Sequence, residues 1–159
     1  MQRLWAPWRL SYVQGERKRE GCIFCLAAQP GDDAAHHVLH RGESCFVMLN
    51  AFPYNSGHLM VSPRRHVASV EALEAHELLE LMTLTQRSLS ALRATYGPDG
   101  FNLGVNEGEI AGAGFADHVH MHVVPRWAAD NNFMAVTGDT RVLPQSLDDS
   151  YNALRERFK

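Results

Sequence analysis

Three histidines at two-residue spacing, His118, His120 and His122, stand in the run Asp-His-Val-His-Met-His-Val-Val-Pro-Arg-Trp over residues 117–127. In an extended chain alternate residues share a face, so the spacing predicts three imidazoles on one side of a strand with Val119, Met121 and Val123 entering the core on the other. A single histidine is most simply a satisfied core or polar residue. Three in register form a proton-handling stripe that is costly to bury without a ligand, partner or substrate. Successive same-face residues lie about 6.6 Å apart, which suits a metal poorly if one strand is to supply every ligand. A zinc ion could take one of the three, and the others are free for nucleophilic or acid–base chemistry.

A glycine-rich segment leads into this stripe. Asn-Leu-Gly-Val-Asn-Glu-Gly-Glu-Ile-Ala-Gly-Ala-Gly spans residues 102–114, and its glycines at 108, 112 and 114 permit positive φ and close approach of backbone amides to an anion. No Gly-Lys-Ser/Thr follows, so this is not a Walker A loop. Together the loop and the stripe read as a phosphate cradle with chemistry beside it.

On these residues the chain resembles the histidine triad superfamily of nucleotide hydrolases and transferases, whose mark is His-φ-His-φ-His-φ-φ, with φ apolar; residues 118–124 match it. Asn50-Ala-Phe-Pro-Tyr-Asn-Ser-Gly-His58 looks like the family's nucleoside loop, Ser62-Pro-Arg-Arg-His66 like its Pro-Lys-x-His element, and Asn106-Glu-Gly with Ala111-Gly112 like its phosphate loop. The opening Trp5-Ala-Pro-Trp8 and the segment after Pro125, through Asn132-Phe133-Met134, are most similar to the bacterial diadenosine tetraphosphate phosphorylase, or ATP adenylyltransferase, branch.

The resemblance implies a nucleotidyl-histidine mechanism. His120, the middle histidine, would be the nucleophile, needing an acceptor on its other nitrogen to fix the tautomer. His122 would donate to a phosphoryl or bridging oxygen, His118 would support it or bind metal, and Asn106 with the amides of Gly112, Ala113 and Gly114 would supply further donors. Asn50 is similar to the family's ribose-binding residue. Phe46, Leu49 and Phe52 are candidates for an apolar slot beside the base; Phe46 and Leu49, in a strand, read first as core, whereas Phe52, in a loop next to Pro53, reads first as a ligand contact. His58 suits a structural hydrogen bond, and Leu59, Val61 and Ile110 read as packing. The loop departs from the pattern of many hydrolases, carrying Asn at 106 and no polar side chain after Ala111-Gly112. That leaves room for a second acceptor such as inorganic phosphate, with Arg126, Asn132 and Arg141 as candidate donors.

Cys22-Ile-Phe-Cys25 is a separate signal, open to a redox pair, two buried thiols or a metal. The family resemblance adds His66 and His118, and so implies a structural zinc on Cys22, Cys25, His66 and His118. Cys45, embedded in an apolar run, reads as core. No organic cofactor is implied; a divalent cation could accompany the substrate polyphosphate.

The function expected is therefore a phosphorylase splitting diadenosine tetraphosphate with inorganic phosphate into ADP and ATP. The alternatives are a triad hydrolase of dinucleoside polyphosphates or nucleoside phosphoramidates, and a nucleotide-binding adaptor without turnover.

The positioning elements follow from pattern. The 159 residues, 45% of them apolar, fit one domain, with an arm over about residues 1–20 and an extension over about 128–159. A net charge of −3 argues against binding a nucleic acid polymer. No run approaches the ~20 apolar residues of a membrane span, and no signal-like segment opens the chain, so a cytoplasmic protein with free thiols is expected. Strands are predicted over 45–49, 59–62, 101–105 and 119–124. A long helix over 71–96, with Leu73, Leu78, Leu81, Met82, Leu89 and Leu92 at mostly helical intervals, stops at Gly97-Pro98, and a short helix lies near 150–158. The fold class expected is α+β, a histidine-triad-like antiparallel meander with one long helix on it. Trp5, Trp8, Tyr12 and Trp127 suggest an interface. The family resemblance implies a homodimer, which the arm could extend to a larger assembly.

Overall fold

The computed structural model describes residues 21–128, 130 and 145–159. The arm with Trp5, Trp8 and Tyr12, and the positions Asn132, Phe133, Met134 and Arg141, lie outside the described residues. The elements are α1 (Ile23–Ala28), β1 (Val38–Arg41), β2 (Cys45–Leu49), β3 (Leu59–Pro63), α2 (Ala75–Tyr96), β4 (Gly100–Val105), β5 (Met121–Arg126) and α3 (Leu147–Arg155). The strands form one five-stranded antiparallel sheet in the order β1-β2-β3-β5-β4. Because α2 carries the chain from β3 past one strand position to β4, β5 returns into the gap between them. That insertion puts the histidine segment in the interior of the sheet rather than at its edge.

Strand alternation divides the core in two. Cys45, Val47, Leu49, Leu59, Val61 and Val123 point toward α2, where they pack with Leu81, Leu84, Ala91 and Leu92, and with Tyr151 and Leu154 of α3. Phe46, Met48 and Met60 point the other way and pack with Phe24 and Ala27 of α1 and with Val38. The register places Met60 opposite His122, so the histidine stripe shares this second face.

The long helix begins later than its apolar pattern predicts. Residues 70–72 form a 3-10 turn, and α2 starts at Ala75 behind a capping box in which Glu74 and Glu77 exchange side-chain and backbone bonds. Its buried side carries Glu77, Leu81, Leu84, Thr85, Ser88, Ala91 and Leu92, while Leu78 and Met82, expected inside, are exposed. Thr85 and Ser88 can be buried because their hydroxyls donate to the carbonyls of Leu81 (2.7 Å) and Leu84 (2.8 Å). Gly97 ends the helix in the left-handed conformation at φ +55°, donating to Arg93 O at 3.1 Å.

Strand β1 and helix α1 were not among the expected elements, since four and six residues are too few to show a period. Helix α3 begins at Leu147, earlier than expected, because Ser146 caps Asp149 N at 3.1 Å. Among the described residues no helix is long and apolar enough to cross a membrane.

Candidate functional site

Of the three histidines only His122 lies within regular β5; His118 and His120 occupy the segment leading into it, held beside the sheet by Val119 N donating to Val67 O at 2.7 Å. The predicted alternation nevertheless holds. Val119 and Val123 are buried on the α2 side, Met121 packs partly buried against the same cluster, and the imidazoles take the other side.

His118 and His120 are almost fully buried. His118 donates through Nε2 to Pro63 O at 2.9 Å, which leaves its Nδ1 with a lone pair. That Nδ1 lies 3.3 Å from Cys22 Sγ, 3.6 Å from Cys25 Sγ and 3.3 Å from His66 Nδ1. Both ring nitrogens are engaged, Nε2 by Pro63 and Nδ1 by the thiols and His66, so of the two roles considered for His118 the geometry favours ligand.

His120 donates from Nδ1 to the carbonyl of His118 at 2.9 Å. The tautomer is thereby set, with the lone pair on Nε2. Burial pushes its pKa below that of an ordinary histidine, partly offset by the bond to the His118 carbonyl, so the ring is neutral near pH 7. A neutral imidazole with a fixed, unprotonated Nε2 is the form a nucleophile requires.

A relay sets His122. The Tyr54 N–H can only donate, so His58 Nδ1, at 3.1 Å, must accept; His58 then carries its proton on Nε2 and donates to His122 Nδ1 at 3.0 Å. His122 in turn carries its proton on Nε2, as a donor to developing phosphoryl charge must. His58 thus has the structural hydrogen-bonding place expected of it. Its position depends on Gly57, whose φ of +78° suits glycine and where a Cβ would stand 2.8 Å from Tyr96 Cε2 and 3.0 Å from Leu92 Cδ2.

The remaining expected residues fall in different places. Asn50 closes the nucleoside loop, its Oδ1 accepting from Phe52 N at 2.9 Å and its Nδ2 lying 3.5 Å from His58 Nδ1. Phe52 is exposed at the rim. Phe46 and Leu49 are both core, with Phe46 on the histidine face of the sheet and Leu49 on the opposite, α2 side. Asn106 lies beside Gly112, its Nδ2 4.0 Å from where a Cβ there would stand. In the glycine loop the Gly112 amide donates to Glu109 O (2.9 Å) and the Ala113 amide to Gly108 O (3.2 Å), so two of the expected anion donors are used within the loop. Gly112 adopts φ +93°. Ile110, expected to pack, is fully exposed on the 3-10 turn of residues 109–111, because that turn projects from the sheet.

Arg126, a candidate phosphate donor, is held by an ion pair with Asp130 (2.5 and 2.9 Å) and a bond to Asn102 Oδ1 (2.6 Å). Asp130 also accepts from Asn55 Nδ2 at 2.8 Å, and Asn55 donates to Pro125 O at 2.9 Å. These bonds clasp the nucleoside loop to the end of β5. The Arg126 guanidinium holds the Asp130 carboxyl well below the usual carboxylate range.

At the other end of the stripe the ligand atoms of Cys22, Cys25, His66 and His118 all lie within 4.8 Å of one another, with Cys25 Sγ 3.1 Å from His66 Nδ1. Tetrahedral zinc with bonds of about 2.0–2.3 Å would separate its ligands by about 3.3–3.8 Å, close to the spacings found. The His118 Nε2–H···O=C bond to Pro63 is the kind of outer contact that orients a ligating imidazole. The group can hold a metal ion. Cys45 stays apart, fully buried, its thiol pushed up to about 12 mainly by burial.

Residues that sequence reasoning passed over complete the site. Phe24, between the two thiols, stacks on His120; Tyr54 lies against His58 and His122 with ring centroids 4.7 and 6.0 Å away. Glu107 accepts from Val70 N (2.7 Å) and Ser69 Oγ (3.1 Å), tying the start of the phosphate loop to the segment after His66. The only sequence signal for Phe24 is an aromatic residue between two thiols.

The HIT domain family matches residues 32–129. An AP-4-A phosphorylase of Mycobacterium tuberculosis is 40% identical, the alignment covering 97% of this chain and 83% of that protein. An adenosine 5'-monophosphoramidase of Schizosaccharomyces pombe is 30% identical over 66% of this chain and 74% of its own length. Among solved structures, a Zn-bound histidine triad family protein of Mycobacterium smegmatis has the same fold, with TM-score 0.67 and 23% identity, covering 87% of this chain and 93% of that one. A HIT family member of Bacillus subtilis superposes with TM-score 0.59 at 26% identity, covering 82% and 86%. The chain therefore belongs to the HIT domain family, on its AP-4-A phosphorylase branch, and is an enzyme of the histidine triad type.

Proposed function

We propose that the protein splits diadenosine tetraphosphate with inorganic phosphate through a nucleotidyl-histidine intermediate, yielding ADP and ATP. The observation that carries the mechanism is the Nδ1–H···O=C bond from His120 to His118, which presents a neutral Nε2 as nucleophile. The choice of substrate is supported by the 40% identity to an AP-4-A phosphorylase over nearly the whole chain.

In this reading His120 Nε2 attacks the α-phosphorus, the N–P bond forms and the bond to the bridging oxygen breaks. ATP leaves as an oxyanion, the breaking oxygen accepting a hydrogen bond from His122 Nε2–H, whose tautomer the Tyr54–His58 relay sets. Inorganic phosphate then attacks the nucleotidyl-histidine, the new P–O bond forms as the P–N bond breaks, and ADP leaves with His120 Nε2 restored. Donors that stabilise phosphoryl charge as it grows contribute to rate more than those that bind the ground state. Asn50 is assigned to the ribose hydroxyls, Phe52 to the base, and Asn106 with the Gly114 amide to the phosphates, the Gly112 and Ala113 amides being used within the loop.

We assign Cys22, Cys25, His66 and His118 as ligands of a structural zinc, on the strength of their converging ligand atoms; a protein of the same fold is Zn-bound. When bound there, zinc contributes folding free energy by cross-linking α1 to the loop after β3 and to the start of the triad segment.

The test is a product analysis on diadenosine tetraphosphate while inorganic phosphate is titrated to millimolar concentration. Phosphorolysis gives ADP and ATP in equal amounts with a rate that rises with phosphate. AMP and ATP in constant ratio, with no ADP, would move the assignment to a triad hydrolase.

A further inference from the structure

We propose that Phe24 is a positioning residue for the nucleophile, an aromatic plate that the Cys22–Cys25 turn lays against the face of His120 to fix the plane of its ring. The inference rests on the reading of His120 as nucleophile. It concerns what holds the ring rather than what the ring attacks.

The hydrogen bond to His118 O restrains one edge of the His120 imidazole. An edge restraint alone lets the plane pivot about the N–H···O axis, and a pivot swings Nε2 off the line of attack. A second contact on the face removes that freedom. Phe24 supplies it, with ring centroids 4.5 Å apart and planes inclined by 28°. The same ring lies 5.2 Å from His118 at 39° and meets Phe115, at the end of the glycine loop, edge-on at 5.9 Å. Phe24 is 1% exposed and packs in the cluster with Phe46, Met48 and Met60.

What makes Phe24 more than filler is its origin. It stands between the two thiols of the metal-competent group, in the first turn of α1, and Cys22 and Cys25 approach His118 and His66. Both restraints on His120 therefore issue from this one cluster, the carbonyl of His118 at the edge and Phe24 at the face. A side chain carried on a turn pinned at two points by its flanking residues is a stiffer stop than one on a free helix. A misplacement of about 1 Å at a reacting centre can cost on the order of 100-fold in rate, so a plate of this kind is worth holding rigidly.

The experiment compares wild type with Phe24→Leu, Phe24→Met and Phe24→Tyr. Zinc content, melting temperature, KM, the pre-steady-state rate of His120 nucleotidylation by diadenosine tetraphosphate, and the NMR order parameter of the His120 ring C–H bonds in the nucleotide-free protein are measured for each. Phe24→Leu, with Phe24→Met in parallel in case the branched side chain prevents folding, is expected to keep the zinc content of wild type. KM should stay within about twofold, nucleotidylation should slow by roughly tenfold, and the His120 ring order parameter should fall. Phe24→Tyr, which restores the plate, is expected to recover both the rate and the order parameter. A wild-type rate and an unchanged order parameter in the Leu and Met variants would overturn the proposal, as would a loss confined to KM. Absence of any nucleotidyl-histidine in the wild type would overturn the catalytic reading, whereas the order-parameter comparison would still decide whether Phe24 holds the ring.

Discussion

At the scale of single residues the three histidines are alike in type and unlike in task, because each ring is fixed by a different second contact. His118 gives one nitrogen to the Pro63 carbonyl and turns the other to the thiols; His120 keeps Nε2 unprotonated; His122 is left with Nε2–H. His120→Ala is expected to abolish turnover while nucleotide binding stays measurable by calorimetry, since the covalent step is lost but the binding contacts remain. Retention of more than about a tenth of kcat would be incompatible with a nucleophile, general acid–base help alone being too small to replace it. The relay makes a finer prediction. His58→Ala removes the partner that fixes the His122 tautomer, so kcat should fall on the order of tenfold with KM little changed. Equal effects on both constants would mean that His58 binds substrate instead.

At the scale of elements, short connections aim these side chains. Gly57 brings the nucleoside loop against α2, and Gly57→Ala is expected to destabilise the fold by about 2 kcal/mol in urea denaturation, because the added methyl meets Tyr96 and Leu92 and the positive φ is strained. Arg65, next to His66, grips Glu77 of α2 through Nε (3.0 Å) and Nη2 (2.6 Å) and also reaches the Ala72 carbonyl at 2.6 Å. The Arg65 guanidinium lowers the Glu77 pKa from 4.5 to about 2. A carboxylate whose folded pKa is depressed adds stability above its unfolded value and loses it as pH falls through the folded value. Wild type should therefore lose this increment between about pH 4.5 and 2. Glu77→Gln should be less stable by roughly 2 kcal/mol at pH 7 and show a flatter acid limb across that window. Parallel acid limbs in the two proteins would refute the assignment.

At the scale of the whole molecule, the metal-competent group joins α1, the loop after β3 and the triad segment, three pieces far apart in sequence. If zinc occupies it, elemental analysis should find about one equivalent per chain. Cys22→Ser should then lower the melting temperature by roughly 10 °C while nucleotide affinity changes little, because the site acts through folding. A wild-type protein purified without chelator that holds no zinc, and whose melting temperature does not respond to added zinc, would leave Cys22 and Cys25 as a reduced pair in a small core.

Much of this was legible in sequence. The two-residue period of His118, His120 and His122 against Val119, Met121 and Val123 determined which side of the segment faces the core, and Gly97 determined where α2 stops, because each is a local consequence of backbone geometry. The fold class followed from family motifs, which are also local, as did the four residues Cys22, Cys25, His66 and His118 whose ligand atoms converge. Other features were decided only when distant pieces met. Leu78 and Met82 have the right period for a core, but the phase of α2 is set by the sheet beneath it, which selects Leu81, Leu84 and Leu92 instead. Arg126 looks available to phosphate as a residue type; Asp130 and Asn102 claim it. No spacing rule connects Phe24 to His120 across 96 positions. Only packing of α1 against the histidine face brings the two rings together, since a stacking contact depends on where two surfaces close and not on the order of residues along either of them.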